Sequence, residues 1–246
     1  VSAQGRIICG LQPVREAIRK HGAQLSRVVV EAASARQSPQ LDALARFAHD
    51  QGAPVERLTR LELDRMARGV RHQGAIAFAP GLKVVALAEV VLGDQALIVA
   101  LDEVQDPQNF GAVIRSAVAM GATAVVWPEH SSAPLSPATF RASAGAVEHA
   151  TLCRVGSLPN ALEDLRARGV TVVGLDMGGD VAIDKVDLAK PVALVAGAEG
   201  KGLRKTVKRS CDAIVRLPMP GPVASLNASV AVAVALYEAL RQRGAC

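Results

Sequence analysis

The sequence predicts a two-domain α/β protein, and three observations carry the prediction. At 246 residues the chain is long for one hydrophobic core and comfortable for two. Pro80-Gly81 interrupts the hydrophobic pattern a third of the way along. Beyond it, short and almost continuously apolar runs alternate with helical patterns. Runs of that kind suit parallel strands buried on both faces. The expected layout is a small α/β domain over residues 1–80, a linker over 81–94 and a larger domain over 95–246.

In the first domain Leu11, Val14 and Ile18 recur at helical spacing, and residues 27–31 (RVVVE) read as a strand. Leu41, Leu44, Ala45 and Ala48 mark a second helix, which Gly52-Ala-Pro54 stops. Thr59 followed by Glu62 is a capping box that opens a third helix. Residues 75–79 (AIAFA) form a short closing strand. The linker holds one short helical piece at 87–91. In the larger domain, strands are expected at 96–101, 122–127, 150–155, 170–175, 192–196 and 213–217. Phe110, Val113, Ile114, Ala117 and Val118 give the clearest helix between them. A helix with almost no polar face follows Asn227.

Composition narrows the function classes. Half the residues are hydrophobic and 21% are charged, as in a globular protein. No apolar run approaches the roughly 20 residues that span a bilayer, so no membrane partner is expected. The chain opens on Val, which predicts a processed or trimmed start. No basic segment followed by an apolar stretch marks secretion, so a cytoplasmic location is expected. Cys9, Cys153, Cys211 and Cys246 are scattered, without a C-x-x-C pair or a neighbouring His, which predicts neither a zinc site nor a disulfide framework. The five histidines show no metal spacing and no Ser or Cys partner motif. The formal charge of +5 lies wholly in residues 1–80, with 12 Lys/Arg against 7 Asp/Glu, and all but Lys20 of those basic residues are Arg. Arginine grips phosphate through its planar fork, so RNA is a natural partner; a solvated basic face has the same composition.

Ligands of open parallel sheets bind beyond the carboxyl ends of strands, where loops meet helix N-termini. Three such connections carry polar residues beside glycine: residues 101–115, 194–203 and 217–230. Asn109, Glu199 and the Ser225/Asn227 pair fall one set to each. The loop from Gly197 to Gly202 is dense in glycine, so its backbone can approach a ligand closely. It is neither G-x-G-x-x-G nor a Walker loop, which argues against a pyrophosphate cradle and a nicotinamide-dependent oxidoreductase. Alone, it also reads as a tight turn with a helix cap. Lys201, Arg204, Lys205, Lys208 and Arg209 form a basic run, read as an RNA-phosphate contact. Asp176 ends a strand and reads as a turn residue.

In this order the three stretches resemble the signature of the SpoU (TrmH) family of RNA 2′-O-ribose methyltransferases. The first motif, N-x-G-x-x-x-R, appears as Asn109, Gly111 and Arg115. The second appears as Gly197, Glu199 and Gly202-Leu203, and the third as Pro218-Met219, Gly221, Ser225, Asn227 and Ser229. The resemblance implies a trefoil-knotted methyltransferase (SPOUT) domain, in which the C-terminal segment threads an earlier loop. The first domain resembles, in topology, the kink-turn-binding ribosomal-protein domain often fused to these enzymes. The implied cofactor is S-adenosylmethionine, its adenine and ribose against Gly197, Leu217 and Leu226, with Met219 and Ala196 lining the pocket.

The implied reaction is attack of a ribose 2′-hydroxyl on the cofactor's methyl group. Catalytic roles carry over to Asn109, Arg115, Glu199, Ser225 and Asn227. Arg115 fixes the phosphate beside the nucleophile, since a guanidinium stays charged and makes a poor base. Glu199 orients Arg115 or Asn109. Taken alone, Arg115 reads as a surface arginine paired with Asp102, Glu103 or Asp106. The layout is most like the branch acting on a guanosine of 23S ribosomal RNA as a homodimer. The alternatives are an adenosine-2′-O enzyme of the antibiotic-resistance type and a non-catalytic ribosome-assembly factor.

Overall fold

The computed structural model describes residues 5–32, 38–222 and 225–245, and it divides into two units. Unit 1 comprises Val1–Leu82 together with Ser143–His149; unit 2 comprises Lys83–Ala142 and Ala150–Cys246. Residues 143–149, placed by sequence in the second domain, thus cluster with the first.

Unit 1 runs β1 (Arg6–Cys9), α1 (Leu11–His21), β2 (Arg27–Glu31), α2 (Pro39–Asp50), β3 (Val55–Leu58), α3 (Arg60–Ala67) and β4 (Ala75–Ala79). Its sheet order is β1-β4-β2-β3, antiparallel except for the β2/β3 pair. Val28, Val30, Ala75 and Ala77 share one core with Val14, Ile18, Leu44 and Ala48 of α1 and α2. The opposite face, Val29 and Ile76, is covered by Leu63 and Ala67 of α3. This is the period-two alternation of strands meeting the helical stripe. The Thr59–Glu62 capping box is present in both directions. Strands β1 and β3 had no sequence signal: each is four residues long, and β3 is an edge strand whose side chains are exposed or half-buried.

Also within unit 1, the buried Glu148 carboxylate receives Arg6 through both guanidinium nitrogens and His21 at 2.9 Å. Glu16 receives Arg19, Gln12 and, at 3.0 Å, His149. His21 and His149, which carried no functional signal in the sequence, are therefore each hydrogen-bonded to a carboxylate.

Unit 2 runs β5 (Leu97–Asp102), α4 (Pro107–Ala119), β6 (Ala124–Pro128), α5 (Pro137–Ala142), β7 (Leu152–Val155), α6 (Leu158–Ala167), β8 (Thr171–Leu175), β9 (Val181–Ala182), β10 (Val192–Gly197), α7 (Lys205–Arg209), β11 (Ala213–Arg216) and α8 (Ala228–Gln242). The sheet order is β7-β6-β5-β10-β8-β11-β9, and all its pairs are parallel. Ile98, Ala100, Val172, Ala193 and Val195 pack against Leu158, Leu162 and Leu165 of α6 and Val207 of α7. On the other face α4 and α8 pack together, α8 on β10, and Phe110 of α4 meets Trp127 of β6 with ring centroids 5.3 Å apart. All six strands expected from sequence exist, with ends shifted by up to two residues; the two-residue β9 is additional.

From Lys83 onward the expected linker belongs to unit 2. Leu87 and Val90 are buried in its core and Val84 bridges to Leu152, while residues 87–89 form a 3-10 turn. α8 runs from the carboxyl edge of the sheet to its amino edge. There Arg243 donates to the carbonyls of Gln95, Ala96, Leu188 and Lys190. Among the described residues no helix is long and apolar enough to cross a membrane. Cys246, and Val223 and Ala224 within the third motif, lie outside the described residues.

Candidate active site

The strand order reverses between β5, which leads outward to β6 and β7, and β10, which leads to β8 and β11. Such a reversal opens a crevice at the carboxyl ends of the strands. Here Asp102 ends β5 opposite Gly197, which ends β10. The three polar connections all meet at this edge.

The helix after β5 begins cleanly because Asp106 accepts from the N–H groups of Gln108 and Asn109 and Pro107 needs no donor partner. That cap places Asn109 in the first turn of α4. Asn227 caps α8 in the same way: its Oδ1 accepts from Ser229 N at 2.9 Å and Ser229 Oγ at 2.6 Å. With Oδ1 held as acceptor, the Asn227 amide must turn its Nδ2 donor toward the crevice. Nδ2 donates to Asn109 Oδ1 at 2.8 Å and to Glu199 Oε2 at 3.2 Å, and Asn109 Nδ2 donates to Glu199 Oε2 at 3.3 Å. Three residues from three motifs thus close one hydrogen-bonded ring, its acceptors and donors ordered by the cap at one end.

A cavity of about 450 Å³ lies beside the ring. Ala196, Gly197, Leu217, Met219 and Leu226 all line it, as do Ser225 and Glu199. A second, smaller cleft of about 250 Å³ is bounded by Glu103, Asp106, Asn109 and Glu199. Glu199 borders both.

Backbone packing shapes the cavity wall. A Cβ on Gly197 would lie 2.1 Å from the Gly202 carbonyl oxygen, so no side chain fits there. Asp176, read from sequence only as a turn, ties three segments of the wall together. Its Oδ2 accepts from Lys208 Nζ at 2.7 Å and Leu203 N at 3.4 Å, and its Oδ1 from Gly178 N at 3.0 Å. Partial burial pushes the Asp176 carboxyl up, but Lys208 and the two N–H donors outweigh it and hold the group below its ordinary value.

The basic run divides. Arg204 clamps the buried Asp102, donating from its backbone N and Nε at 2.8 Å each, and also reaches Glu103 at 3.3 Å. Lys208 is held by Asp176. Two of the five residues read as an RNA contact are therefore engaged within the fold, and Lys201, Lys205 and Arg209 remain exposed.

Arg115 stands apart from the ring. It is exposed on α4, with no hydrogen bond or ion pair among the described residues, and the sequence-expected partners are taken: Asp102 by Arg204, Asp106 by the cap of α4. The residue after it, Ser116, lines an apolar groove with Met120, Val230, Ala233, Val234 and Tyr237. Burial, then acidic neighbours, pushes the Cys153 thiol up to about 11 and the Cys211 thiol up to about 12, so neither supplies a thiolate near neutral pH.

Comparison with known proteins identifies a family. Residues 96–237 match the SpoU rRNA Methylase family and residues 7–84 match the RNA 2'-O ribose methyltransferase substrate binding family. The chain is 40% identical over 240 residues to an uncharacterized tRNA/rRNA methyltransferase of Mycobacterium ulcerans, covering 96% of this chain and 77% of the relative. It is 38% identical over 249 residues to the 23S rRNA (guanosine-2'-O-)-methyltransferase RlmB of Xanthomonas campestris pv. campestris, covering 99% of each. Among solved structures, the SpoU methyltransferase AviRb of Streptomyces viridochromogenes in complex with the cofactor AdoMet superposes with a TM-score of 0.79 at 26% identity, over 99% of this chain and 92% of that one. The polar ring at the sheet's reversal point and the two matched regions lead to one assignment: the chain belongs to the SpoU rRNA methylase family.

Proposed function

We propose that this protein transfers a methyl group from S-adenosylmethionine to the ribose 2′-hydroxyl of a guanosine in 23S ribosomal RNA, in the cytoplasm. The observation that carries the reading is the Asn109–Glu199–Asn227 ring at the mouth of the cavity. The RlmB relative, aligned over 99% of both chains, supports guanosine in 23S rRNA as the target.

The residues fit the cofactor. The cavity is large enough for a molecule of its size. Leu217, Leu226 and Met219 offer apolar surface to the adenine, Ala196 and the side-chain-free Gly197 allow close backbone approach, and the Glu199 carboxylate suits a cationic sulfonium. When bound, S-adenosylmethionine supplies an electrophilic methyl group. The protein's own task is to hold the 2′-hydroxyl in line with it and to offset the proton as the C–O bond forms.

Asn109 and Asn227 present amides to the ribose, and Ser225 lies where the cavity opens beside them. Glu199 fixes both amides rather than Arg115. Arg115, exposed and uncommitted, clamps the adjacent phosphate through its fork and lowers the pKa of the hydroxyl electrostatically. A homodimer is part of the same reading: Val230, Val234 and Tyr237 leave an apolar stripe exposed on α8. So is the trefoil knot, supported by chain segments that pass without room for side chains at Gly197 and at Gly179, where a Cβ would lie 2.5 Å from the Val215 carbonyl carbon.

Mapping 2′-O-methyl groups in rRNA from cells with and without the gene tests the reading, joined to methyl transfer by the purified protein onto the 23S transcript. A single guanosine ribose that gains its methyl only with the protein is expected. Methylation at an adenosine ribose instead would move the chain to the alternative specificity. No transfer despite bound RNA would leave an RNA-binding factor.

A further inference from the structure

We propose that the outer face of α3 and the turn that follows it, residues 60–73, is the surface through which unit 1 grips the phosphate backbone of RNA. The proposal rests on the reading above that RNA is the substrate, and it says which part of unit 1 does the binding.

The argument is which charges are already engaged. Elsewhere in unit 1 several arginines have carboxylate partners: Arg6 with Glu148, Arg19 with Glu16, Arg27 with Glu56 and Arg57 with Asp42. Arg60, Arg65, Arg68 and Arg71 are all exposed and have no ion pair among the described residues. Arg15, Lys20 and Arg46 are also exposed without an ion pair among the described residues, but the four arginines between positions 60 and 71 are the closest such run along the chain of this unit.

The two acids of α3, Glu62 and Asp64, keep their negative charges and offset part of the patch, but neither forms an ion pair with one of its arginines. Glu62 closes the capping box, accepting from the Thr59 N–H at 2.8 Å and hydroxyl at 2.6 Å. Those two Thr59 bonds hold its carboxyl below the usual range, and Arg65 adds only a minor part. Asp64 accepts from His72 Nε2 at 2.9 Å, while His72 Nδ1 accepts from the Gly74 N–H at 3.0 Å. His72 is buried, so this relay pins the turn from beneath.

The turn's shape is fixed as well. Arg68, Gly69, Gln73 and Gly74 all have positive φ, at 48°, 83°, 51° and 79°. Gln73 is tied to α1 by accepting from Leu11 N at 3.2 Å. On α3 itself Leu61 and Arg65 follow one another at i and i+4 on the side opposite the buried Leu63 and Ala67, and Leu61 is 61% exposed. Arginines held on a rigid turn around one exposed apolar side chain suit a folded RNA strand, with phosphates on the guanidinium forks and a base or sugar over the leucine. An acidic protein partner would have no use for the apolar centre, and a membrane surface would want more of it.

The test uses the full chain and protein-free 23S rRNA transcript, with filter binding across a salt series. One variant combines Arg65→Gln, Arg68→Asn and Arg71→Gln; Asn is used at 68 because it tolerates the left-handed backbone there. A control combines Lys20→Gln and Arg46→Gln, also exposed but outside this face. The triple variant should bind at least tenfold more weakly at low salt. Its plot of log affinity against log salt should be shallower by about 2, since each phosphate that the protein ceases to neutralise removes about 0.7 from the slope. The control should keep the wild-type slope. A wild-type slope in the triple variant overturns the proposal, and so does the same change per charge removed in the control, since affinity would then follow net charge. Calorimetry with S-adenosylmethionine separates this from the functional reading: absence of cofactor binding in the wild type would remove the enzyme assignment and leave the slope comparison standing.

Discussion

Asn227 joins two functions in one side chain: its Oδ1 caps α8 through Ser229 N at 2.9 Å, and its Nδ2 donates to Asn109 Oδ1 at 2.8 Å. The helix cap fixes the amide's orientation, and the oriented amide closes the ring of the candidate site. Substitution can separate the two. Asn227→Ala should lose about 1 kcal/mol of stability with the cap, and methyl transfer as well. Asn227→Ser can still cap, so its unfolding midpoint in urea should stay close to wild type while transfer falls as in Ala. A Ser variant that is fully active would show that the Nδ2 hydrogen bonds are only structural.

Arg115 makes the opposite case. With no partner among the described residues, its replacement should shift stability by no more than about 0.5 kcal/mol. Arg115→Lys keeps the charge but not the fork, and single-turnover methylation should slow about a hundredfold or more, the value of one oriented donor worth roughly 2.7–4 kcal/mol. Cofactor affinity should be unchanged. Near-normal turnover would leave the phosphate clamp without support.

Gly197 is constrained by space. The Cβ of Gly197→Ala would fall 2.1 Å from a backbone oxygen, which cannot rotate away as a side chain could. Overpacking of this kind costs about 1–3 kcal/mol, and relief requires the loop from Ala198 to Gly202 to move. S-adenosylmethionine binding by calorimetry should be abolished, whereas RNA affinity, measured with the cofactor absent, should persist.

Asp176 gives a pH signature. Its folded carboxyl lies below the ordinary value, so its contribution is fully present above the unfolded Asp pKa of about 3.9. It is lost as pH falls through the lower, folded value. Asp176→Asn should therefore lower stability at pH 7, and the gap between variant and wild type should narrow steadily below about pH 4 in urea titrations. A gap that stays constant down to about pH 2 would mean that Lys208 and the loop donors do not stabilise the charged form.

Much of the arrangement was legible in the residues. Buried parallel strands such as Leu97–Asp102 and Val192–Gly197 are apolar on both faces, so their runs stand out without alternation. The capping box at Thr59 is a local signal that needs no tertiary context. β1 and β3 were hidden because four residues at or near a sheet edge carry almost no periodicity. The meeting of Asn109, Glu199 and Asn227 was legible only through the order of three motifs, since no local pattern links residues 90 or 118 positions apart. Asp176 and Arg204 were missed for a related reason. A turn acid and a basic run look the same whether they face water or each other, and only the folded chain shows that Asp176 holds Lys208 and Asp102 holds Arg204.

The ring has a consequence in time. Asn109 lies on the helix after the first strand of unit 2, and its partner Asn227 lies 118 residues later. At synthesis rates of about 5–20 residues per second, a growing chain spends roughly 6–24 s with one half of the site made and the other not yet translated. During that interval the apolar strip of α4 that α8 will cover is open, joined late by that of β10. A ribosome therefore carries this protein with the ring open until α8 emerges. A chain truncated before Asn227 would hold every strand of the sheet and no closed ring.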